Sequence, residues 1–428
     1  MAKIIPFKAL RFTEKAGEIG TLCCPPYDII SEDEQKALYE KSPYNVIRLE
    51  LNADADRYGS AAETLKSWLG SGILKTDDIE SLYIYEEEFS VPEGGRKALR
   101  TLIADIELTP FDEGVVLPHE ETLSRAKADR LELMRATFCN FSLIYSLFID
   151  ADKRVGAILL DECKRAPDVE FSTPDGIVQR LWAMTDPQRI GGVRAAFSEK
   201  QVFIADGHHR YETAVNFRNE LKEKGIIAEG ADHPANYCMM AFVDIDDPGL
   251  VVLPTHRLIR GLPAFDKEDV REKLKADFEV FSDRPLAQLD ADMAAQDKSK
   301  RFALYLGGGK YDLLVLKSPD APAKRMPGKC PAYIDLDVAV LHSVILEPVF
   351  GIDRENMARQ ANLTYTRSVG EAVEGVDGGK FQCAFLLNPT RVSQIRDVAA
   401  SGEKMPQKST YFYPKLITGL VMNKLGDL

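Results

Sequence analysis

The 428-residue sequence predicts an α+β (mixed α/β) protein built from more than one packed unit. Three observations carry that expectation. Helical and strand patterns are interleaved along the whole chain, several strand pairs sit close enough to form hairpins, and the length exceeds what one small core organises. With 45% hydrophobic, 28% charged and 9% aromatic residues, the composition is that of a globular chain.

The elements follow in order. Residues 31–40 (SEDEQKALYE) open on Ser31 with acids in the first turn, which is how a helix starts. Residues 45–51 (NVIRLEL) alternate like a strand, and residues 58–71 read as a helix ending at Gly72. Residues 81–91 and 97–108 form a hairpin around Pro92-Glu93-Gly94-Gly95. A helix over 124–137 and a strand over 142–149 come next. A helix over 154–166, strands over 169–172 and 179–184, and a helix over 186–197 with Pro187 in its first turn follow.

Residues 201–217 read as strand, tight turn and helix start, and strands are expected over 237–245 and 250–253. The pattern loosens at Leu262-Pro263. Beyond it lie a helix over 266–278, a hairpin over 301–317 turning at Gly307-Gly308-Gly309-Lys310, and a helix over 335–350. A strand over 381–388, a helix over 389–400 and an irregular tail complete the chain. Three regions result: 1–110, 111–262 and 263–428.

Charge and cysteine usage narrow the function classes. The 54 basic and 67 acidic residues leave a net charge of −13, with no run of five cations, which argues against a nucleic-acid partner. Seven scattered cysteines without a C-x-x-C pair read as free thiols in a reducing compartment. No apolar run approaches 18 residues and no signal-like start is present, so the expectation is a cytoplasmic chain with no membrane partner.

The densest chemistry lies in IADGHHRYETA. The apolar run Val202-Phe203-Ile204-Ala205 suits a buried strand, Asp206 an N-cap, and Gly207 a sharp turn that lets the backbone approach a ligand. His208, His209 and Arg210 then fall at a helix start, where unpaired N–H groups already favour an anion. Arg210 adds a planar fork suited to phosphate oxygens, and the histidines can donate hydrogen bonds or move protons. The plain alternative is a capped helix with solvated cations, but cations at a helix start oppose the dipole and need another reason. A metal is a third reading, and adjacent histidines point apart on a helix.

A second dense block is LPHEETLSRAKAD at 117–129. Glu120 or Glu121 can deprotonate a hydroxyl or hold magnesium, with Asp206 as another carboxylate for that ion. Lys127 and Arg130 share a helix face and can neutralise a transferring phosphoryl group. His256 and Arg257, which follow a strand, offer a further anion contact, with a salt-bridged strand-end loop as the alternative, and Lys408, Ser409 and Thr410 near the C-terminus read as a phosphate-touching loop. Pro25-Pro26-Tyr27-Asp28 is either a plain turn or a rigid mount for Tyr27 or Asp28. The triple glycine at 307–309 lacks the G-K-[ST] of a phosphate loop and reads as a hairpin turn.

DGHHR followed by YETA resembles the phosphate-binding box of the ParB/sulfiredoxin-like superfamily, in the version found in nucleotide-dependent free-serine kinases. CCPPYDII at 23–30, PYNVIRLEL at 43–51, LPHEETLSRAKADRLELMRAT at 117–137, LPTHRLI at 253–259 and KSTYFYPKL at 408–416 match, in order, a widespread prokaryotic family of unknown function sometimes labelled ParB-like. The resemblance implies a ParB/sulfiredoxin-like phosphate-binding core over 111–262, with additional α+β elements at both ends. It also implies phosphate contacts from Asp206 to Arg210, and ATP or ADP with magnesium as cofactor. The expected function is a nucleotide-dependent phosphotransferase acting on a small hydroxylated metabolite such as free serine. A non-catalytic nucleotide-binding switch and a phosphoester hydrolase are the alternatives.

Overall fold

A computed structural model describes residues 1–91, 95–120, 124–294, 299–359 and 361–426. The chain forms two compact units, one of Met1–Pro118, Thr122–Val251 and Pro414–Leu428, the other of His119–Glu121 and Val252–Tyr413. Both combine helices with sheets, so the protein is α+β. Among the described residues no helix is long and apolar enough to cross a membrane.

The first unit is organised by a nine-stranded mixed sheet. From one edge its strands are Val116–Leu117, Val202–Asp206, Ile144–Phe148, Tyr237–Asp244, Gly95–Glu107, Leu82–Val91, Val178–Met184 and Val169–Ser172, with Ile4–Ile5 also pairing to Gly95–Glu107. Val202–Asp206 runs parallel to Val116–Leu117 and antiparallel to Ile144–Phe148. The hairpin expected over 81–108 is present, with Tyr83 opposite Ile103; residues 92–94 of its turn lie outside the described residues. Even-numbered residues of the hairpin, Leu82, Ile84, Leu102, Ala104 and Ile106, join Phe197, Tyr211 and Phe217 of the covering helices in one core. A second core gathers around the helix Arg57–Ser71.

Local chemistry explains where several helices begin and stop. Ser31 and Glu34 form a reciprocal capping box ahead of Glu32–Lys41. Asp186 caps Pro187–Phe197, and Gly72, at φ 72°, ends Arg57–Ser71 in the left-handed conformation.

The strand expected over 45–51 is instead the short helix Ile47–Glu50. Asn45 decides this: its Oδ1 accepts from the Ile47 N–H at 3.0 Å, while its amide donates to the Thr21 and Cys23 carbonyls. That side chain starts a helical turn and leaves the backbone no strand partner.

The second unit is built on a six-stranded antiparallel sheet in the order Phe278–Pro285, Lys310–Leu316, Arg301–Tyr305, Cys383–Leu386, His256–Ile259, Leu363–Thr366. Gly307, Gly308 and Gly309 all take positive φ, as a hairpin turn requires and as the sequence predicts. The helix expected over 335–350 is present as one uninterrupted run, Asp337–Val340 and Glu347–Phe350, with a π-helical stretch Leu341–Leu346 between them. Pro348 supplies the reason, since it has no N–H to donate one turn back and the preceding turn widens.

Candidate functional site

The strand Val202–Asp206 is buried through Ala205, and its pairing to Ile144–Phe148 slips between Ile204 and Asp206. That irregularity delivers Asp206 to the sheet end, where Gly207 turns at φ 96° into the helix His208–Glu223. Gly207, not Asp206, holds the N-cap position, so the N-cap residue has no side chain to offer the cap. The capping role expected of Asp206 is therefore corrected. Its Oδ2 accepts from Lys415 Nζ at 2.6 Å, a partner on the C-terminal segment.

Gly207 is needed for a second reason. A Cβ there would lie 3.0 Å from Arg210 Nε and 3.1 Å from its Cζ. The guanidinium folds back over the turn, with Nη2 3.8 Å from Asp206 Oδ1 and Nη1 donating to the Leu143 carbonyl. Burial opposes charge on both groups, yet Lys415 and Arg210 hold the Asp206 carboxyl well below its ordinary range. Burial likewise pulls on Arg210, and Asp206, Asp28, Tyr27 and Glu50 more than offset it. Both shifts favour the charged forms, so the turn carries an internal ion network at the start of the helix His208–Glu223.

His208 is buried and His209 half-buried, and burial lowers the His209 pKa despite the nearby Glu212 carboxylate. Lys127, from the helix Ser124–Thr137, donates to Glu212 Oε2 at 2.6 Å. Arg130 from the same helix is buried: it donates to Asp129 Oδ2 at 2.6 Å and to the Glu50 carbonyl at 2.9 Å, and lies 4.0 Å over the Tyr27 ring. Glu50 accepts from Ser142 Oγ at 2.5 Å. A small cavity behind Arg210 is lined by Glu50, Arg130, Asn140, Ser142, Thr213 and Met239, among others.

The sequence-derived site residues fall into two groups. Asp206, Gly207, His208, His209, Arg210, Lys127 and Arg130 belong to the first unit. Glu120, His256, Arg257, Lys408, Ser409 and Thr410 belong to the second, and Glu121 lies outside the described residues. In the second unit His119 Nε2 lies 3.2 Å from Thr410 Oγ1, and Arg257 Nη2 donates to the Lys408 carbonyl at 3.1 Å. Ser409 gives its carbonyl to Thr390 Oγ1 at 2.7 Å. His256 Nδ1 accepts from the Leu387 N–H at 3.2 Å.

Lys415, Glu212 and Glu50 are not legible in the sequence as site residues. Lys415 stood inside the block KSTYFYPKL, but nothing in that block marks it as the partner of a residue 209 positions away. For magnesium, no group of three or more His, Cys, Asp or Glu suited to a metal ion occurs among the described residues.

The sequence matches the family described as Protein of unknown function (DUF1015) over residues 4–339, and the chain belongs to that family. No curated protein matches it. Among solved structures, a free serine kinase variant in complex with AMP is 13% identical, covers 76% of this chain and 92% of its own, and has a TM-score of 0.37. A related kinase variant in complex with ADP is 13% identical, with coverages of 76% and 91% and a TM-score of 0.36. A conserved hypothetical protein from Pyrococcus furiosus is 15% identical, with coverages of 74% and 92% and a TM-score of 0.33.

Proposed function

We propose that this DUF1015 chain is a nucleotide-dependent phosphotransferase acting on a small hydroxylated metabolite, free serine being the first to test. The observation that carries the reading is the Gly207 turn, where a mostly buried Arg210 is held over the start of a long helix. Backbone N–H groups at a helix start, a glycine without a Cβ and a positioned guanidinium make a cradle for phosphate oxygens.

In this reading the N–H groups of His208 and His209, with Arg210, hold the terminal phosphates. Lys127, kept in place by Glu212, faces the developing charge. The acceptor oxygen bonds to the terminal phosphorus, the bridging P–O bond breaks, and the hydroxyl proton passes to a carboxylate base. Magnesium would arrive with the nucleotide phosphates, where one or two protein carboxylates suffice, and Asp206 is the carboxylate of this turn that we propose for it.

Phosphorus NMR tests the reading with full-length protein, ATP or ADP, magnesium and a panel of hydroxylated amino acids. The expected result is a phosphorylated acceptor, lost in Arg210→Ala and strongly reduced in Lys127→Met. No product across the panel, with nucleotide still bound, would favour a binding switch. Inorganic phosphate released without an acceptor would favour a hydrolase.

A further inference from the structure

The far end of the helix His208–Glu223 borders an open cleft of about 850 Å³ that the phosphate turn does not use. Its lining includes Lys3, Glu107, Arg194, Arg218, Lys222 and Asp232, all of the first unit. Arg218 lies ten residues beyond His208, so about 15 Å of helix separates it from the start of that turn. A cleft of this size is large enough to hold a small metabolite.

Arg218 is only 9% exposed, yet it forms no ion pair among the described residues. Its partners are neutral: Nη1 donates to the Leu108 carbonyl, and Nε and Nη2 donate to Asn219 Oδ1 at 3.2 and 3.1 Å. Those three bonds leave two of the five guanidinium N–H groups, one on each terminal nitrogen. Buried charges are normally paired, so an enclosed cation with two donors to spare beside a cleft calls for an anion. Lys222, four residues on, shares that helix face. It suits the last helical turn on electrostatic grounds alone, whereas Arg218 sits a turn further in and has no such reason.

The strand side of the cleft carries the opposite sign. Lys3 Nζ donates to Glu107 Oε1 at 3.0 Å and to Tyr237 Oη at 3.2 Å, and Tyr237 Oη donates in turn to Asp232 Oδ1 at 3.3 Å. Two carboxylates share one ammonium along this chain, which leaves one negative charge over, and Asp232 forms no ion pair among the described residues. The two clusters meet at one place: Glu107 pairs with Tyr237 across the sheet, and the next residue, Leu108, accepts from Arg218. We propose that this cleft binds a free α-amino acid as its zwitterion, the carboxylate on the two spare N–H groups of Arg218 and the ammonium on Asp232. The distribution of charge selects this class. Inorganic phosphate would satisfy Arg218 but meet the surplus carboxylate, and a simple amine would leave Arg218 unpaired. A zwitterion answers both, with a planar carboxylate for the fork and an ammonium for the acid.

The site is independent of the Gly207 turn, and the test keeps them apart. Titration calorimetry on the full chain uses glycine, L-alanine, L-leucine and L-glutamine, which lack a hydroxyl for phosphoryl transfer. Propionate, ethylamine and inorganic phosphate serve as partial mimics. The expected result is saturable binding of an amino acid, about tenfold tighter than any mimic, weakened about tenfold by Arg218→Gln or Asp232→Asn and unchanged by Arg210→Ala. Thermal melts check folding, and Asp232→Asn, at an exposed position, decides the question if Arg218→Gln does not fold. Absence of amino-acid binding, a mimic bound equally well, indifference to Asp232→Asn, or loss in Arg210→Ala would each overturn the proposal. Failure of phosphoryl transfer alone would not.

Discussion

Lys415 places its ammonium 2.6 Å from Asp206 Oδ2, joining the C-terminal segment to the glycine turn across 209 positions of sequence. Arg210 approaches the other oxygen of the same carboxylate at 3.8 Å. Asp206 is thus the centre of an internal ion network rather than a helix cap.

Replacing the ammonium exposes what it does. Lys415→Met should lower stability by about 2 kcal/mol, because a mostly buried carboxylate loses a charge-assisted hydrogen bond. The sign of the pH effect follows from the depressed Asp206 pKa. Its contribution is present above the unfolded value of about 4 and is lost as pH falls below it, so the variant should show a flatter acid limb. Urea titrations between pH 3 and 7 measure both; an unchanged acid limb would contradict the pairing.

Gly207→Ala should act on both folding and binding. The residue sits at φ 96°, where an alanine is strained by about 1–3 kcal/mol, and its Cβ would press on Arg210. A fluorescent nucleotide should bind about tenfold more weakly once the guanidinium is displaced. Binding equal to wild type would remove Arg210 from the cradle.

Two carboxyls of the large sheet predict the alkaline limb. Burial pushes Glu87, beside Tyr85 and Gln179, up to about 8, and Asp105, which accepts from Asn423 at 2.8 Å, up to about 7. A raised folded pKa contributes stability that is complete below the unfolded value of about 4 and disappears as pH climbs to the folded one. Glu87→Gln and Asp105→Asn should therefore gain on wild type between pH 5 and 9. Denaturation midpoints at those two pH values decide it.

Arg130 and Glu50 form a buried pair whose partners are unequal. Arg130→Met should cost about 3 kcal/mol or more, since it leaves Glu50 charged and enclosed. Glu50→Gln keeps the Ser142 contact and should cost less. Equal losses in chemical denaturation would show that packing, not charge, dominates there.

The sequence by itself determined the α+β class, most strands and helices, and the Asp206–Arg210 turn. Each rests on neighbours in the chain: an apolar run, a glycine at a sharp corner, a capping serine, an alternating hairpin. What the tertiary structure alone decided involves partners far apart. Asn45 turned an alternating segment into a helix by bonding to the Thr21 and Cys23 carbonyls, and Asp206 gave up the cap for Lys415. Phe350 and Phe385, far apart in the chain, meet edge-on only because the helix that ends at Phe350 packs on the sheet. Local patterns record backbone preference, whereas burial of charge is settled by whichever distant group can reach it.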